Sequence, residues 1–163
     1  MIRMISERPV LDSLDRRLIR LLADNPRIGV MELARQLGVA RGTVQSRLDK
    51  LVESGVVKGF GPDIDPAAMG YEVLAFAMIE IAQGRLNDVV DHLRQIPEVL
   101  DAYATTGPSD LHCRLVARSN DHLHQIVTRI LEVRGITRTT TVIALSQQIG
   151  YRVMPLVETE PEP

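Results

Sequence analysis

A disulfide framework is excluded at once, because the chain has a single cysteine, Cys113. One cysteine cannot found a cysteine-cluster metal site either. Tryptophan is absent and aromatic residues make up 3% of the chain, so any core must be built from aliphatic side chains. No apolar run approaches the roughly 20 residues that cross a bilayer. The start, MIRMISERPV, has no long apolar segment, which predicts neither a signal peptide nor a membrane anchor. No phosphate-binding glycine loop, HExxH or GxSxG is found, so neither a cofactor nor a metal is expected. A reducing cytoplasm is the expected compartment.

What is present is the composition of a soluble globular protein, 45% apolar and 25% charged over 163 residues, enough for two small domains. The net charge of −2 hides an asymmetry. Residues 1 to 60 hold 11 Lys/Arg against 7 Asp/Glu, a balance of +4, whereas residues 61 to 163 hold 8 against 14, a balance of −6. A basic first part joined to an acidic second part suggests that only the first meets a polyanion.

Three helical patterns open the chain. In DSLDRRLIRLLADNP, Leu14, Leu18, Leu21 and Leu22 form one face, Asp12 is placed to cap, Asp15 completes a capping-box pattern, and Pro26 ends the helix. GVMELARQLG follows, with Leu33, Ala34 and Leu37 inward and Gly38 suited to the left-handed turn. The third, in GVARGTVQSRLDKLVESGVV, turns Val44, Leu48, Leu51 and Val52 inward and leaves Arg41, Thr43, Gln45, Ser46, Arg47 and Lys50 on the rest of its surface. Two short helices joined by a tight glycine turn form a helix-turn-helix pattern. The next segment, VVKGFGPDID, reads as a short strand and extended exit, the place of a wing.

From DPAAMGY, a hinge, the rhythm changes. VLAFAMIEIA is a strand, GRLNDVVDHLRQI a helix with Leu86, Val89, Val90, Leu93 and Ile96 inward, EVLDAYATT a strand, GPSD a turn and LHCRLVA a strand. NDHLHQIVTRILEV is a helix with Leu123, Ile126, Val127, Ile130 and Leu131 inward, and TRTTTVIAL a β-branched strand. This βαββαβ order is the ferredoxin-like arrangement. Helices cover one sheet face; the first strand has little polarity on the other, which predicts that the bare face packs on another subunit. The class is therefore α+β. The expected domains are 1–60 (helix-turn-helix), 61–72 (hinge), 73–151 (ferredoxin-like) and 152–163, an acidic tail whose VETEPEP reads as disordered.

LDSLDRRLIRLLADNPRI, MELARQLGV, V-x-x-R-L-x-x-L from Val44 to Leu51, SGVVKGF, DP-x-x-x-G-Y and TGPSDL occur in this order from Leu11 to Tyr151. Each is weak alone; together they resemble the Lrp/AsnC (feast/famine) family of transcription regulators. The resemblance implies a winged helix-turn-helix, a regulatory domain that dimerises through its sheet, assembly to tetramers or octamers, and an amino-acid effector held where dimers meet. Two departures stand out. Gly29 and Ala40 occupy N-cap positions where the family usually has Ser or Thr, and Arg41-Gly42 replaces a more rigid Ser or Pro pair.

A basic amphipathic helix by itself is ordinarily a solvated surface. Placed after a helix and a tight turn in a +4 segment, the third helix reads instead as a recognition helix for double-stranded DNA. Arg41 suits guanine and Gln45 adenine, each pairing worth about 1–3 kcal/mol of discrimination. Gly42, Thr43 and Ser46 lie on the same approach, and Arg47 and Lys50 suit backbone phosphate. Arg47 has a competing role, an ion pair with a neighbouring acid or another helix. The turn TTGPSDL is by itself a strand corner. Under the resemblance it becomes an effector site, in which Asp110 meets an ammonium, Gly107 lets backbone approach, and Ala104, Thr139 and Thr141 complete the walls.

The expected function is a DNA-binding regulator answering to a small amino-acid-like effector, not an enzyme and with no membrane partner. Two other readings stay open. One is a sirohaem-decarboxylase-like enzyme on the same architecture, which would need clustered His, Arg and aromatic residues. The other is an adaptor whose helix-turn-helix meets a protein. His122 and His124 fall on different helix faces, and His92 and His112 are isolated in sequence. Cys113 reads as a small buried hydrophobe.

Overall fold

A computed structural model describes residues 10–159. The expectation for the first nine residues, and that for Glu160 to Pro163, fall outside them. The chain divides into two compact units, one made of 10–62 together with 150–159 and the other of 63–149.

The first unit is built on α1 (Ser13–Asp24), α2 (Val30–Leu37) and α3 (Arg41–Glu53). The α1 capping box forms as its sequence predicts: Asp15 N–H donates to Asp12 Oδ1 at 2.9 Å and Asp12 N–H to Asp15 Oδ2 at 3.2 Å. Leu18, Leu33, Ala34, Leu37, Val44 and Leu51 are buried, with Leu14, Leu21, Leu22 and Leu48 packed around them. Gly38 takes φ 70°, ψ 33°, a left-handed geometry costly for other residues, and its N–H closes α2 on Ala34 O at 2.9 Å. That turn leaves only Val39 and Ala40 before α3.

Two expectations fail here. Val52 is 41% exposed, because Val44, Leu48 and Leu51 already fill the narrow stripe α3 turns to α1 and α2. The segment after α3 forms no strand. It is held by Val57 N–H to Leu51 O at 3.0 Å and runs on as extended chain, since among the described residues no second segment of the unit offers a ladder.

The described part of the tail, through Thr159, differs from the predicted disorder. After the second unit the chain returns as α4 (Met154–Glu158), the last helix in this unit, and buries Val157. Arg16 Nη1 donates to Thr159 O at 2.7 Å, and Arg20 pairs with Glu158 at 2.9 Å. One apolar side chain and two arginines of α1 are what make so short an acidic segment order.

The second unit begins with a 3-10 turn, Ala67–Met69, tied by Ala67 N–H to Asp65 Oδ1 at 2.9 Å. Its strands are β1 (Val73–Ile81), β2 (Val99–Ala104), β3 (Leu111–Ala117) and β4 (Ile136–Ile143), antiparallel in the order β2-β3-β1-β4. Its helices, which we call αA (Leu86–Leu93) and αB (Asn120–Leu131), follow β1 and β3. This is the ferredoxin-like βαββαβ topology. Ala75, Ala77 and Ile79 of β1 and Leu111, Cys113 and Leu115 of β3 pack under Val89, Leu93, Leu123, Ile126 and Ile130. Leu86 and Leu131, expected inward, are 42% and 50% exposed; each sits at a helix end, beyond the stripe the sheet covers.

Among the described residues, no element of the sheet unit covers the other sheet face. It carries Phe76, Tyr103 and Val142, exposed by 42%, 63% and 47%. Among the described residues no helix is long and apolar enough to cross a membrane.

Candidate DNA-reading helix and effector turn

The N-terminus of α3 is bare. Ala40 has the extended backbone of an N-cap, φ −66° and ψ 146°, but no side chain caps the helix and no acid lies in its first turn. An alanine there forgoes about 0.5–2 kcal/mol relative to Ser, Thr, Asp or Asn. The first N–H groups and the positive end of the helix dipole stay available to an anion. Arg41, Gly42, Thr43, Gln45, Ser46 and Lys50 are exposed, and an open groove of about 540 Å³ runs along Gly42, Gln45, Ser46, Asp49, Lys50 and Glu53.

Among the described residues, Arg41, Thr43, Ser46 and Lys50 have no side-chain hydrogen bond or ion pair. Two other members of the predicted set do. Gln45 Nε2 donates to Asp49 Oδ1 at 2.8 Å, which occupies one donor of the amide that was to grip adenine. Arg47 turns to the start of α1, where Nη1 meets Asp12 Oδ2 and lies 3.0 Å from Asp15 Oδ1. The Asp15 N–H and then the Arg47 guanidinium hold the Asp12 carboxyl below its usual pKa. Asp12 and Asp15 in turn push Arg47 higher. The intramolecular role weighed for Arg47 is thus the one the geometry realises, through a different helix rather than through Asp49 or Glu53.

The turn between β2 and β3 is tightly organised. Thr105 N–H donates to Asp110 O at 3.0 Å, and Thr105 Oγ1 to Ser109 O at 2.9 Å. Asp110 N–H donates to Ile79 O at 2.9 Å, and Asp110 Oδ2 accepts the Ile81 N–H at 2.6 Å. The carboxylate therefore extends the β1–β3 ladder by one rung, a use the sequence did not signal. Gly107 has φ 119°, and a Cβ there would meet nothing within 4 Å. Its glycine answers to backbone conformation, and no part of the chain itself approaches closely.

The five effector candidates do not converge within one chain. Cross-strand pairs share a sheet face. Ala104 opposes Leu111, Leu111 opposes Ile79, and Ile79 opposes Thr139, so all four face the helices in one row. Three strand spacings put Ala104 and Thr139 roughly 14 Å apart, too far for one small molecule to touch both. Thr141 lies beside Thr139 on that face, opposite Ala77. Thr139 Oγ1 is buried with no hydrogen-bond partner among the described residues.

Three of the four histidines are occupied structurally. His92 Nε2 bonds Arg129 O at 2.7 Å and His112 Nε2 bonds Ser109 Oγ at 2.9 Å. His122 Nδ1 accepts the Arg118 N–H at 3.1 Å, and its Nε2 lies 3.3 Å from Glu98 Oε1. Burial raises the Cys113 thiol pKa to about 11, which keeps it from being a thiolate. Among the described residues no group of three His, Cys, Asp or Glu is placed to hold a metal ion.

Comparison with known proteins matches residues 11–58 to the family described as winged helix-turn-helix DNA-binding and residues 74–154 to the Lrp/AsnC ligand binding domain. The HTH-type transcriptional regulator FL11 of Pyrococcus horikoshii is 33% identical over 90% of this chain and 97% of its own length. Regulatory protein AsnC of Escherichia coli is 32% identical over 91% of this chain and 99% of its own. The solved structure of E. coli AsnC superposes with a TM-score of 0.83 at 31% identity, covering 90% of this chain and all of that one. With both halves matched in order along nearly the whole length, the chain belongs to the Lrp/AsnC family.

Proposed function

We propose that this chain is a sequence-specific DNA-binding transcriptional regulator whose α3 enters the major groove. The observation that carries this reading is the exposed set Arg41, Thr43, Ser46 and Lys50, without side-chain partners among the described residues, at an uncapped helix end after the Gly38 turn. Exposed donors on a helix placed by a helix-turn-helix match base edges and phosphates. Arg41 is assigned to guanine, Thr43 and Ser46 to phosphate or a base edge, and Lys50 to phosphate. Gln45 reads its base through the amide oxygen and the second Nε2–H that its bond to Asp49 leaves free. The compartment proposed is the cytoplasm.

A homodimer formed through the uncovered sheet face accounts for Phe76, Tyr103 and Val142, and places two recognition helices on half-sites about 10 bp apart or a multiple of that. Assembly to tetramers or octamers builds on this dimer. The effector is a small amino-acid-like molecule at a junction between dimers. That location is supported by the separation of Ala104 from Thr139, since residues so far apart meet one small ligand only if different chains supply them. Asp110, with Oδ1 still unbonded among the described residues, is the proposed ammonium partner, and the orphaned Thr139 hydroxyl a further contact. The relatives named as regulators, and the structural engagement of His92, His112 and His122, favour this reading over a tetrapyrrole enzyme.

The test is fluorescence anisotropy on DNA from upstream of the chain's own gene and on scrambled DNA, across a salt series. Tighter binding to the upstream duplex, weakening with a log–log slope of about −0.9 per phosphate contacted, is expected. Equal, weak and salt-insensitive binding to both would overturn the reading.

A further inference from the structure

Arg47 is on the recognition helix, yet its guanidinium is turned away from the exposed set and toward α1. We infer that Arg47 is a positioning residue for DNA reading: together with Asp12 and Asp15 it locks α3 to the capped end of α1 and makes no phosphate contact. The inference rests on the DNA-reading proposal and names the device that sets the reading angle.

Three observations carry it. First, one nitrogen, Nη1, serves both carboxylates, and these are the two residues whose reciprocal hydrogen bonds start α1. The orientation of α3 is thereby tied to the best-defined end of its neighbour. Second, the Asp15 side chain is only 12% exposed, against 34% for Arg47 and 48% for Asp12, so it is the Asp15 carboxylate that water reaches poorly. Moving the arginine to a phosphate would strand a half-shielded carboxylate beside Asp12, and stranding one partner of a shielded pair costs more than a surface contact returns. Third, Arg47 follows Thr43 by four residues and precedes Lys50 by three, one helix stripe. Its anchor therefore sits between the base-reading end and the phosphate-contacting end, where a small rotation would displace both.

A phosphate contact and a positioning role give opposite signatures. The measurement is the ratio of affinities for upstream and scrambled DNA, with the salt slope, for the full chain and for Arg47→Gln, Asp12→Asn, the double variant Asp12→Asn/Asp15→Asn, and the combination of all three changes. Asparagine keeps a capping oxygen while removing charge, so α1 retains its start. Thermal unfolding confirms that each variant is folded, and the mild Asp12→Asn change guards against loss of the others.

Positioning predicts that Arg47→Gln and the double variant each reduce the discrimination ratio on the order of ten-fold, the scale of one displaced base contact. Asp12→Asn moves it the same way, the combination is no worse than Arg47→Gln alone, and the salt slope is unchanged. The inference is overturned if Arg47→Gln leaves the ratio intact and flattens the slope by about 0.9, the mark of one lost phosphate. It is equally overturned if removing the two aspartates raises affinity for both duplexes and steepens the slope. A wild-type chain that does not discriminate between the duplexes overturns the DNA-reading proposal itself, an outcome visible before any variant is compared.

Discussion

On α3, Arg41, Thr43, Ser46 and Lys50 face solvent with no side-chain partner among the described residues. In the sheet unit Glu98 meets both His122 and Arg129, His112 meets Ser109, and one carboxylate oxygen of Asp110 accepts from the backbone of β1. The contrast separates two ways of holding chemistry. A surface that reads a polyanion keeps donors on one rigid helix and lets the ligand satisfy them. The sheet unit has most of its shielded polar side chains satisfied internally, the exceptions among the described residues being the Thr139 hydroxyl and Glu98 Oε2, which has only its ion pair with Arg129. Polar groups left idle in a shielded site would cost about 1–3 kcal/mol each, whereas on an exposed helix water satisfies them cheaply.

The most severe way to break the comparison is to unfold the helical unit alone. Leu18→Ala removes a fully buried side chain from the small core of α1 to α3 and is expected to cost about 2–5 kcal/mol. Calorimetry should then resolve an early transition for the helical unit, with the sheet unit melting as before; a single shifted transition would mean the two units unfold as one. A smaller effect follows from Arg41→Ala. It should lower discrimination between operator variants by about 1–3 kcal/mol while leaving the melting temperature in place, and unchanged operator ranking in a binding-site selection would remove Arg41 as a base reader.

Smaller again is a gain. Ala40→Ser supplies the cap α3 lacks and should stabilise the helical unit by about 1 kcal/mol, read as a higher urea midpoint. The smallest effect lies in the sheet unit. Burial opposes ionisation of Glu98, but its own backbone N–H, Arg129 and His122 outweigh burial and hold the carboxyl below its ordinary value of 4.5. A depressed carboxyl contributes stability that is present above the unfolded pKa and lost as pH falls through the folded one. Glu98→Gln should therefore flatten the loss of stability below about pH 4.5, and an identical acid limb in the variant would refute the role given to this cluster.

The legibility of the two units differs for a physical reason. In the helical unit the decisive signals are local: the Asp12–Asp15 capping box, the Gly38 turn, the 3.6-residue stripes through Leu18, Leu33 and Val44. Neighbours in sequence meet within one turn, so pattern and structure coincide. Where the sequence reading missed, the missing information was non-local. Nothing near Arg47 in the chain announces Asp12, 35 residues away. Nothing in VETEPEP announces the arginines of α1 that order α4. Leu86, Leu131 and Val52 have the right period but lie past the area that the facing element covers.

By itself, then, the sequence determined the α+β class, the helix-turn-helix, the strand and helix order of the sheet unit and the residues at the tip of α3. Periodicity, capping and turn chemistry act over a few residues and need no folded context. Only tertiary structure decided which donors stay open. It took the Arg47 donor for the cap of α1 and one acceptor oxygen of Asp110 for the end of the β1–β3 ladder, and set Ala104 and Thr139 at opposite margins of one sheet. Each of those outcomes depends on which distant groups the packing brings within hydrogen-bond reach, and a charge or a hydroxyl carries no local mark of the partner it will find.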